Sequence, residues 1–501
     1  MQDSTWQRAL RQANLTIING ITPTAVEAAV FVRCARHQRI EGLTSQRWQG
    51  LQNIKIYLVT ASVNVDSHSE NKSEMSGLAI IPPAALPDAL KNCARTGAFV
   101  SFVEYEDRVL PDALPLLSDA LTRFGDAAAI YQDYWQQTSK GPRAILNAEW
   151  DKLYWHQYNY ISRACWFAAP AIMNLPVSKW CEEGHAVSER ILRALSEQRA
   201  PIQHQAGLGF TLALPQPRPP VKTQLAQPVT PPLVQLIIPT RDNVALLKQC
   251  VDSVTALTDY PNYQITVVNN QSSDTATLDY FTQLKKAGHT VLDYDAPFNY
   301  SAINNWAVAQ TNSELVALIN DDIEVISSDW LSRMVHYALK PETGCVGAKL
   351  LYADNRIQHA GVTLGIMGGA AHNYKYSRAN DTGLAFKLSC DHAVSAVTAA
   401  CLVVKRSTFV AVGGLDETSL TVAFNDVDFC LKVAAAGYQN VQCNTVTLYH
   451  HESQSRGEDI NGEKAVRFAR EREIMEQRWR WDDGADKHLP PLLNLMFEKR
   501  Y

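Results

Sequence analysis

No apolar run in this chain approaches the roughly 18 residues that a membrane-spanning helix needs. The opening MQDSTWQRAL also lacks the apolar core of a secretory signal. These two absences lead us to expect a cytoplasmic protein, with peripheral contact at an inner membrane surface left open. The ten cysteines include no C-x-x-C pair, which argues against a zinc ribbon or a disulfide framework and for a reducing compartment. Basic residues are not in excess: 46 Lys and Arg face 51 Asp and Glu, for a net charge of -5. Nucleic acid is therefore not an expected partner. There is no low-complexity tract. No G-x-G-x-x-G follows a strand and no Walker loop is present, which removes the dehydrogenase and NTPase readings.

What is present is globular: 501 residues, 46% hydrophobic and 19% charged, enough for two or three domains. Residues 214–233, LPQPRPPVKTQLAQPVTPPL, carry seven prolines and read as a semi-rigid linker. Before it, ITPTAVEAAVFVRCARHQ reads as a helix capped by Thr22 or Thr24. NIKIYLVTASV then reads as a strand, VDSHSENKSEMSG as a polar loop, PDALKNCARTG as a helix, and AFVSFVEYEDRV as a strand ending in Glu104, Glu106 and Asp107. After the linker, strands and helices alternate at the spacing of a mostly parallel α/β sheet with helices on both faces. Gly97-AFVSFVEYEDRVLPDALPLL and Ser313-ELVALINDDIEVISSDWLSRM share one layout, and 154–176 parallels 389–414. These echoes point to two related α/β units, the first without a PTRD-like turn or the later acid and histidine motifs. Residues 461–481 form a charged helix with Arg467, Arg470, Arg472, Arg478 and Arg480, which reads as a solvated face or as a contact for an anionic membrane or partner.

Four polar clusters follow strands or open helices in the second half. They are Pro239-Thr240-Arg241-Asp242, Asn269-Asn270-Gln271-Ser272-Ser273-Asp274, Asn320-Asp321-Asp322, and Asn425-Asp426-Val427-Asp428. Each alone suits a cap or a turn. Open α/β sheets bind ligands at the carboxyl ends of their strands, and a shared placement there favours a site. Asp321 and Asp322 are adjacent acids at the end of the apolar LVALI run. They repel each other, and a hard divalent cation relieves that repulsion.

These motifs, in this order, resemble family 2 glycosyltransferases of the nucleotide-sugar-binding GT-A fold over residues 234–457. The branch found in bacterial surface-polysaccharide and O-antigen assembly has close relatives of PTRD, FNYSAINN, GAKLLY, IQHAGV, SAVTAAC, GGLDE, FNDVDFCL and YHHESQSRG. The resemblance implies a GT-A sheet preceded by a degenerate GT-A-like α/β domain at 1–213, the linker at 214–233, and a C-terminal helical extension at 458–501. It implies a metal-dependent inverting transfer from a nucleoside diphosphate sugar to a glycan acceptor, lipid-linked in that branch. Asp322 and a late histidine, His450 before His451, would hold Mn²⁺ or Mg²⁺, with Asp321 near the ribose. Asp426 would be the general base, and Asp428 either a second site acid or a first-turn acid held by the helix dipole. Thr240, Arg241, Asp242, Asn269, Asn270 and Asn304 would line the nucleotide pocket. Asn320 and Asn425 stand where relatives often have acids, and Asn269 leaves the choice between uracil and thymine open. The GIMGGAAH loop reads as an acceptor lid or a turn. The rivals are a bifunctional polymerase with two active units and a non-catalytic glycan-binding scaffold.

Overall fold

The computed structural model describes residues 5–22, 24–34, 54–60, 78–182, 186–213, 219–221, 223–225, 228, 230–366, 369–451, 462–481 and 486–493. The chain divides into two compact units, Met1–Pro219 with Leu489–Tyr501, and Pro220–His488. Residues 458–501 are thus shared: the helix Gly462–Trp479 belongs to the second unit, while Leu492 packs in the first with Leu10, Ala13 and Leu208. The polar stretch 65–77 lies outside the described residues.

Among the described residues the first unit has nine strands: β1 (Ala28–Cys34), β2 (Ile54–Thr60), β3 (Leu78–Ile81), β4 (Phe99–Glu104), β5 (Arg108–Val109), β6 (Ala129–Thr138), β7 (Gly141–Ile145), β8 (Cys165–Ala168) and β9 (Ile202–Leu212). The second has β10 (Val234–Thr240), β11 (Tyr263–Asn269), β12 (Thr290–Asp293), β13 (Leu315–Ile319), β14 (Ile323–Val325), β15 (Thr343–Leu351), β16 (Ile357–His359), β17 (Val362–Ile366), β18 (Gly369–His372), β19 (His392–Val394), β20 (Cys401–Lys405) and β21 (Gln439–His450). The sheet orders are β3-β2-β1-β4-β8-β6-β9-β5 and β12-β11-β10-β13-β20-β15-β21-β14, with β7 added on β6 and β16 on β15. Apart from β19 on β21 and the separate β17–β18 pair, these are one topology written twice. Both units therefore have the GT-A-type α/β architecture, and the weak internal echo in the sequence is a repeat of the fold.

The reading of 21–38 as a helix is corrected. Ala28–Cys34 is the strand β1, paired in parallel with β2 on one side and β4 on the other. Val30, Phe31 and Val32 are fully buried there, and β-branched and aromatic residues between two strands outweigh the helical propensity of the neighbouring alanines. Thr24 caps no helix; its backbone N–H bonds Ser118 Oγ at 2.9 Å.

In the second unit β10, β11, β12 and β13 run parallel. Every residue of β13 is buried, as expected of a central parallel strand covered on both faces. One face packs Ile237, Val268, Val316 and Leu318 against Ile303, Ala307 and Val308 of the helix Tyr300–Ala309. Of the GIMGGAAH segment, Gly365 and Ile366 end β17 and Gly369–His372 form β18, paired antiparallel with it, while 367 and 368 lie outside the described residues. The Leu364 N–H of β17 bonds Asp486 at 2.9 Å.

His392, at the start of β19, is buried, and burial pushes its imidazole down to about 3. Its folded value lies below its unfolded value, so the unfolded chain binds the extra proton. Its contribution to stability is complete above about pH 6.5 and is lost as pH falls towards 3, by up to about 1.4 kcal/mol per pH unit. A His392→Gln variant should show a shallower fall of its urea midpoint between pH 6 and pH 4. Parallel slopes in the two proteins would contradict this.

Candidate functional site

The register of the parallel strands builds one edge. Thr240 is paired with Asn269, and Asn269 with Asp293. Continuing the β10–β13 register from Ile237 and Leu318 brings Thr240 opposite Asp321. Four polar side chains thus stand in a row across four adjacent strand ends, spanning roughly 14 Å at ordinary strand spacing. They are joined side to side: Asn269 Nδ2 donates to Asp293 Oδ1 at 2.9 Å, and Thr240 Oγ1 donates to Asp321 Oδ2 at 2.6 Å. Asp293 has no place in the motif-based site; its only signal is an acid closing the HTVLDY strand.

Asp242 ties the loops after β10 and β11 together. It has a left-handed backbone with φ 48°, which Asp tolerates better than most residues. Its carboxylate accepts the N–H groups of Asp274 at 2.8 Å and Ser273 at 2.6 Å, and these bonds hold its carboxyl below the usual range. Asp274 in turn caps the helix Thr275–Lys286 through the Thr277 N–H. Arg241 is exposed beside this brace. Asn270 is buried, its amide donating to the Ala296 carbonyl at 2.8 Å. Asn304 is fully buried with its amide on the Tyr300 carbonyl, so its side chain packs the helix beneath the site and is not on the site's surface. Asn305 holds the GGLDE loop through the Leu415 N–H and carbonyl.

At the end of β13 the triplet meets β21. Ile323 and His450 are register partners, and this brings His450 Nε2 to 3.0 Å from Asp322 Oδ1, both side chains being about 10% exposed. His450 Nδ1 lies 2.6 Å from Gln358 Oε1 and Nε2 lies 3.3 Å from Asn320 Nδ2. The oxygen of Gln358 accepts, so Nδ1 carries a proton and Nε2 is the ring atom that faces Asp322. His451 points elsewhere, pairing with Glu324 at 2.8 Å. Asn320 uses both ends of its amide, its Oδ1 lying 3.1 Å from the Tyr300 hydroxyl; a carboxylate in its place would set a third charge beside Asp321 and Asp322. The negative field here reaches Cys250 below, whose thiol is pushed up by burial and then by those two acids.

Asp426 lies in the first turn of the helix Asn425–Ala435. Its Oδ2 accepts the Ala399 N–H at 3.1 Å, while the Asn320 N–H donates to the Ala400 carbonyl at 3.0 Å. Two consecutive residues therefore link Asp426 to the triplet. Asp428 is a structural acid, buried against Arg478 Nη1 at 2.7 Å and Trp479 Nε1 at 2.9 Å.

Residues 235–396 match the family described as Glycosyl transferase family 2. The second unit carries a family 2 glycosyltransferase domain. The match ends before Asp426 and His450. Over 442 residues the chain is 39% identical to the uncharacterized protein y4gI of Sinorhizobium fredii (strain NBRC 101917 / NGR234), covering 80% of this chain and 49% of that protein. Over 270 residues it is 36% identical to the O-antigen biosynthesis protein RfbC of Myxococcus xanthus, covering 54% of this chain and 20% of that protein. The chain thus spans about half or less of these curated relatives. Among solved structures, the mannosyltransferase PcManGT from Pyrobaculum calidifontis in complex with GDP-Man and Mn²⁺ aligns with a TM-score of 0.39 at 18% identity, covering 55% of this chain and 72% of that one. GalNAc-T7 with UDP, GalNAc and Mn²⁺ aligns with a TM-score of 0.40 at 11% identity, covering 58% and 55%.

The glycosyltransferase domain and the first unit differ most at this edge. Val109 pairs with Phe210 as Val325 pairs with Leu448, so Leu212 stands where the glycosyltransferase domain has His450. The acids after β4 are neutralised by the protein itself. Glu104 binds Arg33 at 3.0 and 2.9 Å, and Asp107 binds Arg163 at 2.6 and 2.8 Å while also accepting the N–H groups of Glu104 and Ala213. Asp107 and Arg163 are both buried. Arg163→Met would leave a buried carboxylate without its cation and should lower the unfolding free energy by about 3–5 kcal/mol, read by urea denaturation. A loss below about 1 kcal/mol would mean that the pair behaves as a surface contact.

Proposed function

We propose that the second unit transfers a sugar, with inversion, from a nucleoside diphosphate sugar to a glycan acceptor. In this reading the acceptor is a lipid-linked O-antigen or other surface-polysaccharide intermediate, met at the cytoplasmic face of the inner membrane. Among the described residues, no helix is long and apolar enough to cross a membrane. The observation that carries the reading is the contact of His450 Nε2 with Asp322 Oδ1 at 3.0 Å. Two lone-pair-bearing atoms at that distance, in a largely buried setting, call for a cation between them or a proton on Nε2. Adjacent ligands on a six-coordinate ion bound at about 2.1 Å stand about 3 Å apart, so Asp322 and His450 fit Mn²⁺ or Mg²⁺. When bound, that ion neutralises the donor diphosphate and supports its departure as a Lewis acid.

The remaining steps belong to the chain's own side chains. Thr240, Arg241, Asn269 and Asp293 line the strand ends where the nucleoside would lie, and Asp321 faces the ribose. Asp242 and Asn270 shape that pocket through the backbone they brace. Asp426 takes the proton of the acceptor hydroxyl as that oxygen forms its bond to the anomeric carbon. The bond from that carbon to the phosphate oxygen breaks on the opposite face, and the nucleoside diphosphate leaves with the electron pair. The Ala399 N–H on Oδ2 and the Val427 N–H on Oδ1 orient Asp426, and a carboxylate oxygen that accepts one N–H keeps a lone pair for the acceptor.

A panel of UDP-, dTDP- and GDP-sugars, read as donor hydrolysis and as thermal stabilisation with Mn²⁺, identifies the donor. Asp322→Ala should abolish metal-linked UDP binding and turnover. Asp426→Asn should abolish turnover while keeping UDP and Mn²⁺ binding, and full activity of that variant would overturn the assigned mechanism. Gln358→Leu frees His450 Nδ1 and should weaken Mn²⁺ binding about 10- to 100-fold, measured by calorimetry in the presence of UDP. Unchanged Mn²⁺ affinity would show that Gln358 does not set the ring.

A further inference from the structure

The helix Gly462–Trp479 lies outside the family match and begins well after Asp426, yet it reaches back to the segment that bears that acid. Glu471 is buried in the middle of this otherwise charged helix. Its Oε1 accepts the Thr421 N–H and hydroxyl, both at 2.9 Å, and the Val422 N–H at 3.2 Å; its Oε2 accepts the Ala423 N–H at 2.8 Å. Three consecutive backbone donors are gathered on one carboxylate. The next residue, Phe424, has a left-handed backbone with φ 58°, a conformation that a bulky side chain adopts only when its surroundings impose it. Its ring is held by Phe468 at 5.0 Å and Trp481 at 5.4 Å. Asn425 and Asp426 follow directly. One turn further, Arg478 binds Asp428 at 2.7 Å and Asp416 at 2.8 Å, and Trp479 Nε1 also donates to Asp428.

Docking the helix does not require this. Met475 and Trp481 are buried in the domain core and supply the apolar anchor. A buried glutamate is costly unless it is paired and its hydrogen bonds are specific; Arg467 lies 3.9 Å away on the same helix, and the hydrogen bonds named go to the three residues before the strained turn. We propose that residues 462–481 act as a positioning strap, in which Glu471 and the aromatic clasp on Phe424 hold the turn that aims Asp426 at the acceptor hydroxyl. Glu471 is a positioning residue. This rests on the reading of Asp426 as the base.

The test compares Glu471→Gln, Arg478→Lys and Asp426→Asn in the full chain. Hydrogen exchange in peptides covering 421–430 should quicken by about tenfold or more in Glu471→Gln, with exchange at 234–240 and 315–325 unchanged and one UDP still bound per chain with Mn²⁺. With the donor found in the panel above, kcat should fall about 10- to 100-fold while the donor KM stays the same, and Arg478→Lys should show the same split more weakly. Unchanged exchange at 421–430, or faster exchange throughout the domain, overturns the strap. An active Glu471→Gln beside an inactive Asp426→Asn overturns the strap and leaves the base assignment standing. An active Asp426→Asn, or a native protein that turns over no donor, overturns the base assignment, and the exchange data then judge the strap alone. Should Glu471→Gln fail to fold, Arg478→Lys carries both measurements.

Discussion

Two carboxylates at the end of a buried strand repel each other, and most of what distinguishes the two units follows from how each relieves that repulsion. In the first unit the relief is internal. Arg33 and Arg163 take up Glu104 and Asp107, and Arg163 does so from the interior. In the second unit Asp321 is held by a hydroxyl, Asp322 faces an imidazole nitrogen, and the third position is a neutral amide. A guanidinium is a permanent cation, whereas an imidazole can be neutral and so can share an acidic edge with an exchangeable cation. The same sheet topology thus serves as a sealed unit in one half and as a candidate transferase in the other.

That choice organises the neighbouring residues. Asn320 reaches Tyr300 on one side and His450 on the other, and its backbone meets the loop at 399–400. The same loop donates an N–H to Asp426. Charge relief at the triplet and orientation of the acid at the helix start are therefore mechanically joined through a few short contacts. From the far side, the helix Gly462–Trp479 fixes the turn at Phe424. The acid in the middle is constrained from both ends.

Much of the architecture could be read directly from residue patterns. Fully apolar runs such as LVALI and VQLII are what central parallel strands require, and the polar clusters behind them fall where the chain must leave the sheet. The duplicated layout around Gly97 and Ser313 signalled the repeated topology. The miss at Ala28–Cys34 shows the limit of local pattern: alanine-rich flanks favour a helix, and only the partners Ile54–Thr60 and Phe99–Glu104, far along the chain, make it a strand. The residues expected to line a nucleotide pocket were legible in kind more than in role. Asp242 serves as a loop brace and Asn304 is buried, because a side chain's direction depends on neighbours that motif spacing does not encode.

The sequence by itself determined the family, the parallel α/β class and the acids at the strand ends, because these rest on local runs and motif order. Tertiary structure decided which histidine faces Asp322, that Gln358 meets the other nitrogen of that ring, and that Asp428 is an anchor for Arg478. It also showed Glu471, an ordinary acid on a charged helix by sequence, to be a buried clamp on three backbone amides. Each of these depends on contacts between residues from 48 to 130 positions apart. A one-dimensional pattern specifies which groups are available; only packing specifies which of them meet.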